Sequence, residues 1–240
     1  MSPFAKERAA AIRAVELASK VCTEVFNSLN YAEEVSVKTD QSPVSIADYA
    51  AQAIIIETIR RELADDTPFM GEEDATLLRL PSAKKMCCAV TALVRKVYGT
   101  MSQEEVLENI DRGASEGGGR RCWVLDPIDG TKGFIAGRQY AICLGLIVDG
   151  QAVLGVLGCP NYDPLTAAAV SHGSSSTVAS KSESESERER GSERGGGGGS
   201  LFVAVTGQGA FRRPLTIEGH GTHTSSSEDS THDTKTVDNV

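Results

Sequence analysis

Two aspartates on either side of a Pro-Ile pair, Asp126 and Asp129, are the residues of this chain best suited to chemistry. They follow a short apolar run and precede Gly130 and Thr131. Carboxylates are hard oxygen ligands that suit Mg²⁺, and the Ile128 carbonyl between them offers a third oxygen. Backbone N–H groups at the start of the next segment suit an anion. The run indicates magnesium-assisted phosphate chemistry, although by itself it fits an ordinary Asp-Pro-x-Asp-Gly turn equally well.

A second acidic pair, Glu72 and Glu73, follows the short apolar stretch 69–71. Adjacent carboxylates repel each other unless a cation or solvent separates them. Taken alone, the pair favours a solvated acidic loop. If its strand lies beside the strand that leads to Asp126, the two acidic strand ends favour a shared metal site instead.

Asp48 has two interpretations. Ser45 precedes it by three residues, which is the spacing of a helix capping box, and acidic residues favour a helix N-terminus. Alternatively, Asp48 is a general base that orients or deprotonates the attacking water. Thr131 is either a helix N-cap or the relay for a proton between Asp48 and that water. Lys132 either contacts phosphate or is an ordinary surface lysine.

The composition limits the classes of partner. A net charge of −9 over 240 residues argues against a nucleic-acid surface. No apolar run reaches the length of a membrane-spanning helix, so we expect no membrane partner. The six cysteines form no CxxC pair and no signal peptide is evident, which predicts reduced thiols in an intracellular, cytoplasmic protein and leaves an organelle open. The composition does not indicate an oligomeric state.

The elements that must position these residues follow from periodicity and turn signals. Helices are predicted over 3–29, 46–63 and 82–97, with another starting at Ser102, where Glu105 completes a capping box. Strands are predicted over 69–71 and 122–125. A hairpin is predicted from 140–148 and 152–157 around the Asp-Gly turn at 149–150, and two last strands at 201–205 and from 207 onward. All four histidines fall in segments without such patterns, so carboxylates must carry the chemistry.

Three motifs in order resemble a known family. The segments 38–48, 71–74 and 123–131 are similar to those of the lithium-sensitive, Mg²⁺-dependent phosphatases of the inositol monophosphatase superfamily. Within it, the segments 115–118, 129–134 and 154–161 are most similar to the 3'(2'),5'-bisphosphate nucleotidase branch. The resemblance covers about residues 5–165, with a weaker similarity at 201–215.

The resemblance implies a layered α/β/α/β/α fold of the sugar-phosphatase type. It implies a complete N-terminal metal-binding lobe over 1–165 and a C-terminal lobe that is mostly missing. Residues 201–218 would be remnant strands of that second lobe. The Ser, Glu, Arg and Gly runs within 166–200 predict a disordered insert, and the polar segment 219–240 predicts a disordered tail.

The resemblance also implies roles for individual residues. The metal ligands would be Glu72, Asp126, the Ile128 carbonyl and Asp129, with Glu73 beside them. Asp48 and Thr131 would activate the water, and the helix start at Gly130 and Thr131 would hold the phosphate. The implied cofactor is Mg²⁺.

The implied reaction is removal of the 3'-phosphate from adenosine 3',5'-bisphosphate, a small nucleotide, or from its sulfated form, 3'-phosphoadenylyl sulfate. Water would attack in line without a phosphoenzyme. Family members carry a later Trp-Asp-x-x-Ala-Gly motif, which this chain lacks because Trp123 is its only tryptophan. We therefore expect a truncated chain with impaired activity. The alternatives are an inositol phosphate phosphatase and an inactive fragment that only binds metal.

Overall fold

The computed structural model describes residues 3–31, 43–117, 119–162, 164 and 199–216, with most helices in the first half of the chain and most strands in the second. The helices are α1 (Ala5–Tyr31), α2 (Pro43–Leu63), α3 (Lys84–Arg95), α4 (Gln103–Asp111) and α5 (Thr131–Ile135). The strands are β1 (Phe69–Met70), β2 (Arg121–Asp129), β3 (Ala141–Val148), β4 (Gln151–Cys159), β5 (Ser200–Val205) and β6 (Gly209–Pro214). These elements confirm the predicted α/β class.

Several sequence-based expectations lie outside the described residues. They are the first part of the leading motif, 38–42, the histidines, nearly all of the predicted insert and the whole predicted tail. They stay predictions.

One sheet of six strands runs through the described chain in the order β1-β2-β3-β4-β5-β6. β1 pairs with β2 in parallel, and every other neighbouring pair is antiparallel. The predicted hairpin is confirmed as β3 and β4. Its turn residues Asp149 and Gly150 have φ values of 48° and 76°, the left-handed conformation that tight hairpin turns require. β5 pairs directly with β4, so one sheet contains strands from both sides of the predicted insert 166–200. The predicted domain limits stay a prediction.

β2 differs from its prediction. The sequence predicted that the strand stops at Leu125, before the two aspartates, and this was wrong. The ladder with β3 continues, pairing Asp126 with Cys143 and Asp129 with Ala141. The register shifts between these pairs, so β2 carries one residue more than β3 over this stretch. Pro127 cannot donate to the ladder, which is why the bulge is tolerated there.

The helices α1 and α2 cover one face of the sheet. α1 packs against α2, β3 and β4, and α2 also contacts β2. Small residues allow this close approach; the fully buried alanines of the two helices are Ala11, Ala14, Ala18, Ala47, Ala50, Ala51 and Ala53. An ideal Cβ built at Gly158 of β4 would lie 2.6 Å from side-chain atoms of Val15 and Ser19, so α1 lies against bare backbone there. Trp123 of β2 is completely buried in the same core.

The helix boundaries follow local signals. Ser102 caps α4 with the predicted capping box: its amide donates to Glu105 Oε2 at 2.6 Å, and the Glu105 amide donates to Ser102 Oγ at 3.2 Å. α2 starts earlier than predicted, with Pro43 as its first residue, a position that suits proline because its missing N–H is not needed. The predicted helix 82–97 is shorter, because two 3₁₀ turns precede α3.

No helix in the described ranges is long and apolar enough to cross a membrane. The six cysteines, all of which lie in those ranges, are unpaired.

Candidate active site

The parallel pairing of β1 with β2 aligns the two acidic clusters. Phe69 pairs with Trp123 and Met70 pairs with Val124. Because both strands run in the same direction, two further residues along each bring Glu72 level with Asp126. The two acidic segments therefore follow neighbouring strands, which is the condition under which the sequence favours a shared metal site.

The bulge in β2 places Asp126 and Asp129 on the same face of the sheet. In a regular strand, side chains three residues apart point to opposite faces of the sheet. The extra residue of the bulge between Asp126 and Asp129 brings the two side chains back to the same face. The partners Cys143 and Ala141 are two residues apart on β3 and share a face. The neighbouring charges support this placement: burial, and then the charges of Asp129 and Asp126, raise the pKa of the Cys143 thiol to about 12.

Asp126 lies at the centre of the acidic group. Its Oδ1 is buried and has no hydrogen-bond partner among the described atoms. Burial raises the pKa of Asp126 to about 6, and the negative charges of Glu72 and Asp129 and a hydrogen bond with Glu72 add to this increase. A buried carboxylate oxygen without a donor is costly, which marks it as a position for a cation.

Asp48, in the second turn of α2, faces the same group from the helix layer. It is only 8% exposed. Burial raises the pKa of Asp48 to about 8, and the charges of Glu73, Glu72 and Asp126 contribute in that order. The structure thus brings together carboxylates from α2, from the loop after β1 and from β2, which supports their assignment to one site.

Glu73 is held beside the group by Tyr49 of α2. Burial raises the pKa of the Glu73 carboxyl, and the charges of Glu72 and Asp74 raise it further, while a hydrogen bond with Tyr49 opposes them. The pKa of the Tyr49 hydroxyl is itself raised, by burial first and then by the Glu73 charge. Glu73 therefore faces inward, whereas Glu72 is exposed at the mouth of the site.

The segment after β2 differs from one expectation. Gly130, with φ of 88°, is the N-cap of α5 and Thr131 is the first helical residue, so of the two alternatives for Thr131 the N-cap is excluded. The Thr131 hydroxyl donates a long hydrogen bond of 3.4 Å to the Ile128 carbonyl oxygen. The described contacts include no hydrogen bond between Thr131 and Asp48, and their joint role in activating water stays a prediction.

The donors fit an oxygen-seeking divalent cation in chemistry and in charge. They are carboxylates and one carbonyl, and the charges of Glu72 and Asp129 add to burial in raising the pKa of Asp126. One oxygen of Asp126 is buried without a donor. In the described ranges, no three histidine, cysteine, aspartate or glutamate side chains are already arranged to hold a metal ion. An ion would therefore be bound by side chains that turn onto it, and the ligand set stays a prediction.

Two residues that contribute to the site, Tyr49 and Gln52, were not predicted from the sequence. Gln52 lies one helical turn after Asp48 and so shares its helix face, whereas the position of Tyr49, directly after Asp48, does not by itself point to the site. The signal in the sequence was a single glutamine within the Ala- and Ile-rich run of residues 46–56, which the structure shows to be completely buried and therefore in need of partners.

Gly133 of α5, the helix that follows Asp129, lies very close to the backbone of Gln139. An ideal Cβ at this position would overlap the backbone carbonyl oxygen of Gln139. We expect Gly133→Ala to lower the free energy of unfolding by about 1–3 kcal/mol, because backbone must shift to make room. Denaturant titration of the variant measures this. Gly155→Ala in β4, where a Cβ meets nothing within 4 Å, is the matched control and should be close to neutral. Equal losses in both variants would contradict the close approach.

The sequence is similar to those of known proteins. The sequence pattern of the Inositol monophosphatase family matches residues 4–239. A "Probable 3'(2'),5'-bisphosphate nucleotidase 4" of Arabidopsis thaliana is 36% identical over 228 residues, which is 91% of this chain and 58% of the relative. A "3'(2'),5'-bisphosphate nucleotidase" of Emericella nidulans is 39% identical over 226 residues, or 89% of this chain and 59% of the relative. The chain thus spans less than two thirds of the length of these curated relatives.

Among solved structures, CysQ from Bacteroides thetaiotaomicron is described as a bacterial member of the inositol monophosphatase family. It is 19% identical, with a TM-score of 0.42, over 92% of this chain and 55% of the other.

Proposed function

The chain belongs to the inositol monophosphatase family, and from that membership and its acidic site we propose that it is a magnesium-dependent phosphatase that removes the 3'-phosphate of adenosine 3',5'-bisphosphate. The observation that carries the proposal is the convergence of Asp48, Glu72 and Asp126 in one electrostatically coupled group. The choice of substrate rests on the names of the curated relatives, of which this chain spans only part.

The proposed metal ligands are Glu72, Asp126, Asp129 and the Ile128 carbonyl oxygen. Bound there, Mg²⁺ would supply positive charge for the oxygens of the transferred phosphoryl group and of the leaving group. The bound cation would also neutralise the acidic site. Its positive charge would oppose the effects of burial and of the Glu72 and Asp129 charges, which together raise the pKa of Asp126.

Asp48 is proposed as the group that takes the proton of the attacking water. A general base works best when its pKa lies near the operating pH, and burial with like charges raises the pKa of Asp48 to about 8. Positive charge in the site would lower this pKa and leave the carboxylate ready to accept a proton. Thr131 would orient the water, and the backbone N–H groups at Gly130 and Thr131 would donate hydrogen bonds to phosphate oxygens.

The direct test is phosphate release by the 240-residue chain from adenosine 3',5'-bisphosphate at millimolar Mg²⁺. We expect release that chelation abolishes and Li⁺ inhibits, with slower or no release from an inositol monophosphate. Faster release from the inositol compound would overturn the substrate assignment. No release from any phosphate monoester, under conditions where the chain is folded, would overturn the proposed activity.

A further inference from the structure

Gln52 of α2 is completely buried, and both polar atoms of its side-chain amide are used. Its Nε2 donates to the Glu73 carbonyl oxygen at 2.6 Å and to the Ile110 carbonyl oxygen at 2.8 Å. Its Oε1 accepts from the Glu73 amide at 3.1 Å. One side chain therefore binds both backbone polar groups of the residue that follows Glu72.

Two glycines form the slot that admits this amide. An ideal Cβ at Gly71 would lie 2.5 Å from Gln52 Oε1, and one at Gly113 would overlap Gln52 Nε2. The Gly71 amide donates to the Gly113 carbonyl oxygen at 2.7 Å, which closes the slot. The amide is thus enclosed by backbone from the loop after β1 and from the end of α4, and any larger residue on either side would displace it.

The slot also connects α2, which carries Asp48, to the loop that carries Glu72 and Glu73. Asp48 and Gln52 are four residues apart on α2 and lie on the same helix face. Asp48 faces the acidic group, while Gln52 holds the backbone at Glu73. β1 has only two residues and lies at the sheet edge, so the loop that carries Glu72 has little ladder of its own.

We propose that Gln52 is a positioning residue that fixes the loop of Glu72 and Glu73 to α2, so that Glu72 is presented to Asp126 for binding a divalent cation. The inference rests on the proposed function in taking Glu72 as a metal ligand. Without Gln52, the Glu73 amide and carbonyl lose the partners that Gln52 supplies. The attachment of the loop to α2 is then weaker, although the side-chain hydrogen bond between Tyr49 and Glu73 remains. Groups that orient metal ligands typically contribute about 10–100-fold to metal affinity or activity.

The test uses Gln52→Met, which approximates the volume of glutamine and removes its hydrogen bonds. Tb³⁺, an oxygen-seeking ion whose luminescence is excited through nearby tryptophan, is titrated into the full chain without substrate. Trp123 lies three residues before Asp126 in β2 and serves as the donor. We expect half-saturation to need about 10-fold more Tb³⁺ in the variant. The Glu73 amide hydrogen should also exchange faster with solvent. This rate reports on the attachment of the loop and is measured without any metal.

Thr58→Val is the matched control. Thr58 lies on the same helix, is 1% exposed, and donates to the Ile54 carbonyl oxygen at 2.6 Å, with the Tyr98 hydroxyl 2.7 Å away. Its loss perturbs a buried hydrogen bond of α2 without touching the acidic loop. We expect its Tb³⁺ titration and Glu73 exchange to match those of the unaltered chain.

Equal Tb³⁺ titrations for Gln52→Met and Thr58→Val would overturn the inference. If Gln52→Met does not fold, Gly113→Ala replaces it, because the new Cβ displaces the same amide; unchanged Tb³⁺ binding in that folded variant would be equally decisive. Saturable Tb³⁺ binding that Gln52→Met weakens, in a chain that releases no phosphate, would support the positioning role and contradict the proposed phosphatase activity alone.

Discussion

Asp126→Asn is expected to lower magnesium-dependent phosphate release by more than about 100-fold, since even groups that only orient metal ligands contribute about 10–100-fold. Asp126 is the carboxylate coupled to both Glu72 and Asp129, and its Oδ1 is the buried oxygen without a donor. The uncharged amide cannot replace it as an anionic ligand. The rise in melting temperature that Mg²⁺ gives the unaltered chain should also disappear, because only an ion that binds the folded state stabilises it. Phosphate assays and thermal melts across a Mg²⁺ series measure both effects.

Asp149→Asn is the control for this variant. It makes the same chemical change on the same sheet, in the β3–β4 turn, where Asp149 pairs with Arg120 at 2.8 Å. Asparagine also tolerates the positive φ of this position. This control should retain the magnesium response. A full response in Asp126→Asn would remove Asp126 from the ligand set and leave the acidic site without its central member.

Asp48→Asn should separate stability from activity. If Asp48 accepts the proton of the attacking water, its replacement lowers kcat by about 10²–10⁴-fold. The half-saturating Mg²⁺ concentration should change little, since Asp48 is not among the proposed ligands. In the absence of divalent ions the same variant should be more stable at pH 8 by about 1–3 kcal/mol, because it removes a buried charge with no cationic partner. Initial rates with Mg²⁺ measure the expected loss of kcat. Denaturant titrations in the presence of a chelator measure the expected gain in stability.

The pH dependence of stability gives a second measure of the same site. Burial raises the folded-state pKa of Asp48 to about 8, above its ordinary value of 3.8, so the folded chain holds this proton more tightly than the unfolded chain. Its contribution to stability is complete below about pH 4 and is lost as the pH rises towards 8. Without metal, the unaltered chain should therefore lose more stability between pH 5 and pH 8 than Asp48→Asn does.

Asp66→Asn, at an exposed aspartate before β1, is the control for Asp48→Asn. It should follow the pH curve of the unaltered chain and keep its kcat. Parallel pH curves for Asp48→Asn and the unaltered chain would mean that Asp48 carries no perturbed proton in the folded state. An unchanged kcat would exclude it as the base.

The sequence predicted the elements that depend on local signals. The capping box at Ser102, the Asp-Gly turn between β3 and β4, and the long amphipathic α1 were each placed within a few residues, because their cues lie within one turn of chain. The acidic strand ends were also identified, and their meeting required only that the two strands be neighbours. Local chemistry was enough for these features.

Features set by distant contacts were not predictable in this way. The bulge in β2 arises from pairing with β3, and no pattern within residues 126–129 shows that Asp129 will align with Ala141. Gln52 binds carbonyls of Glu73 and Ile110, which are 21 and 58 residues away in the chain. Gly130 rather than Thr131 caps α5, because the chain must take a left-handed turn as it leaves the sheet.

The two kinds of acidic side chain differ in how much freedom they retain. Asp126 and Asp129 stand on an interior strand with hydrogen-bonded neighbours, so capturing an ion there costs little conformational entropy. Glu72 follows a strand of only two residues at the edge of the sheet, so more of the ordering penalty falls on it. An incoming ion would meet a preorganised half and an adaptable half of its coordination shell. Changes to the adaptable half should therefore alter how fast ions exchange more than which ion is preferred.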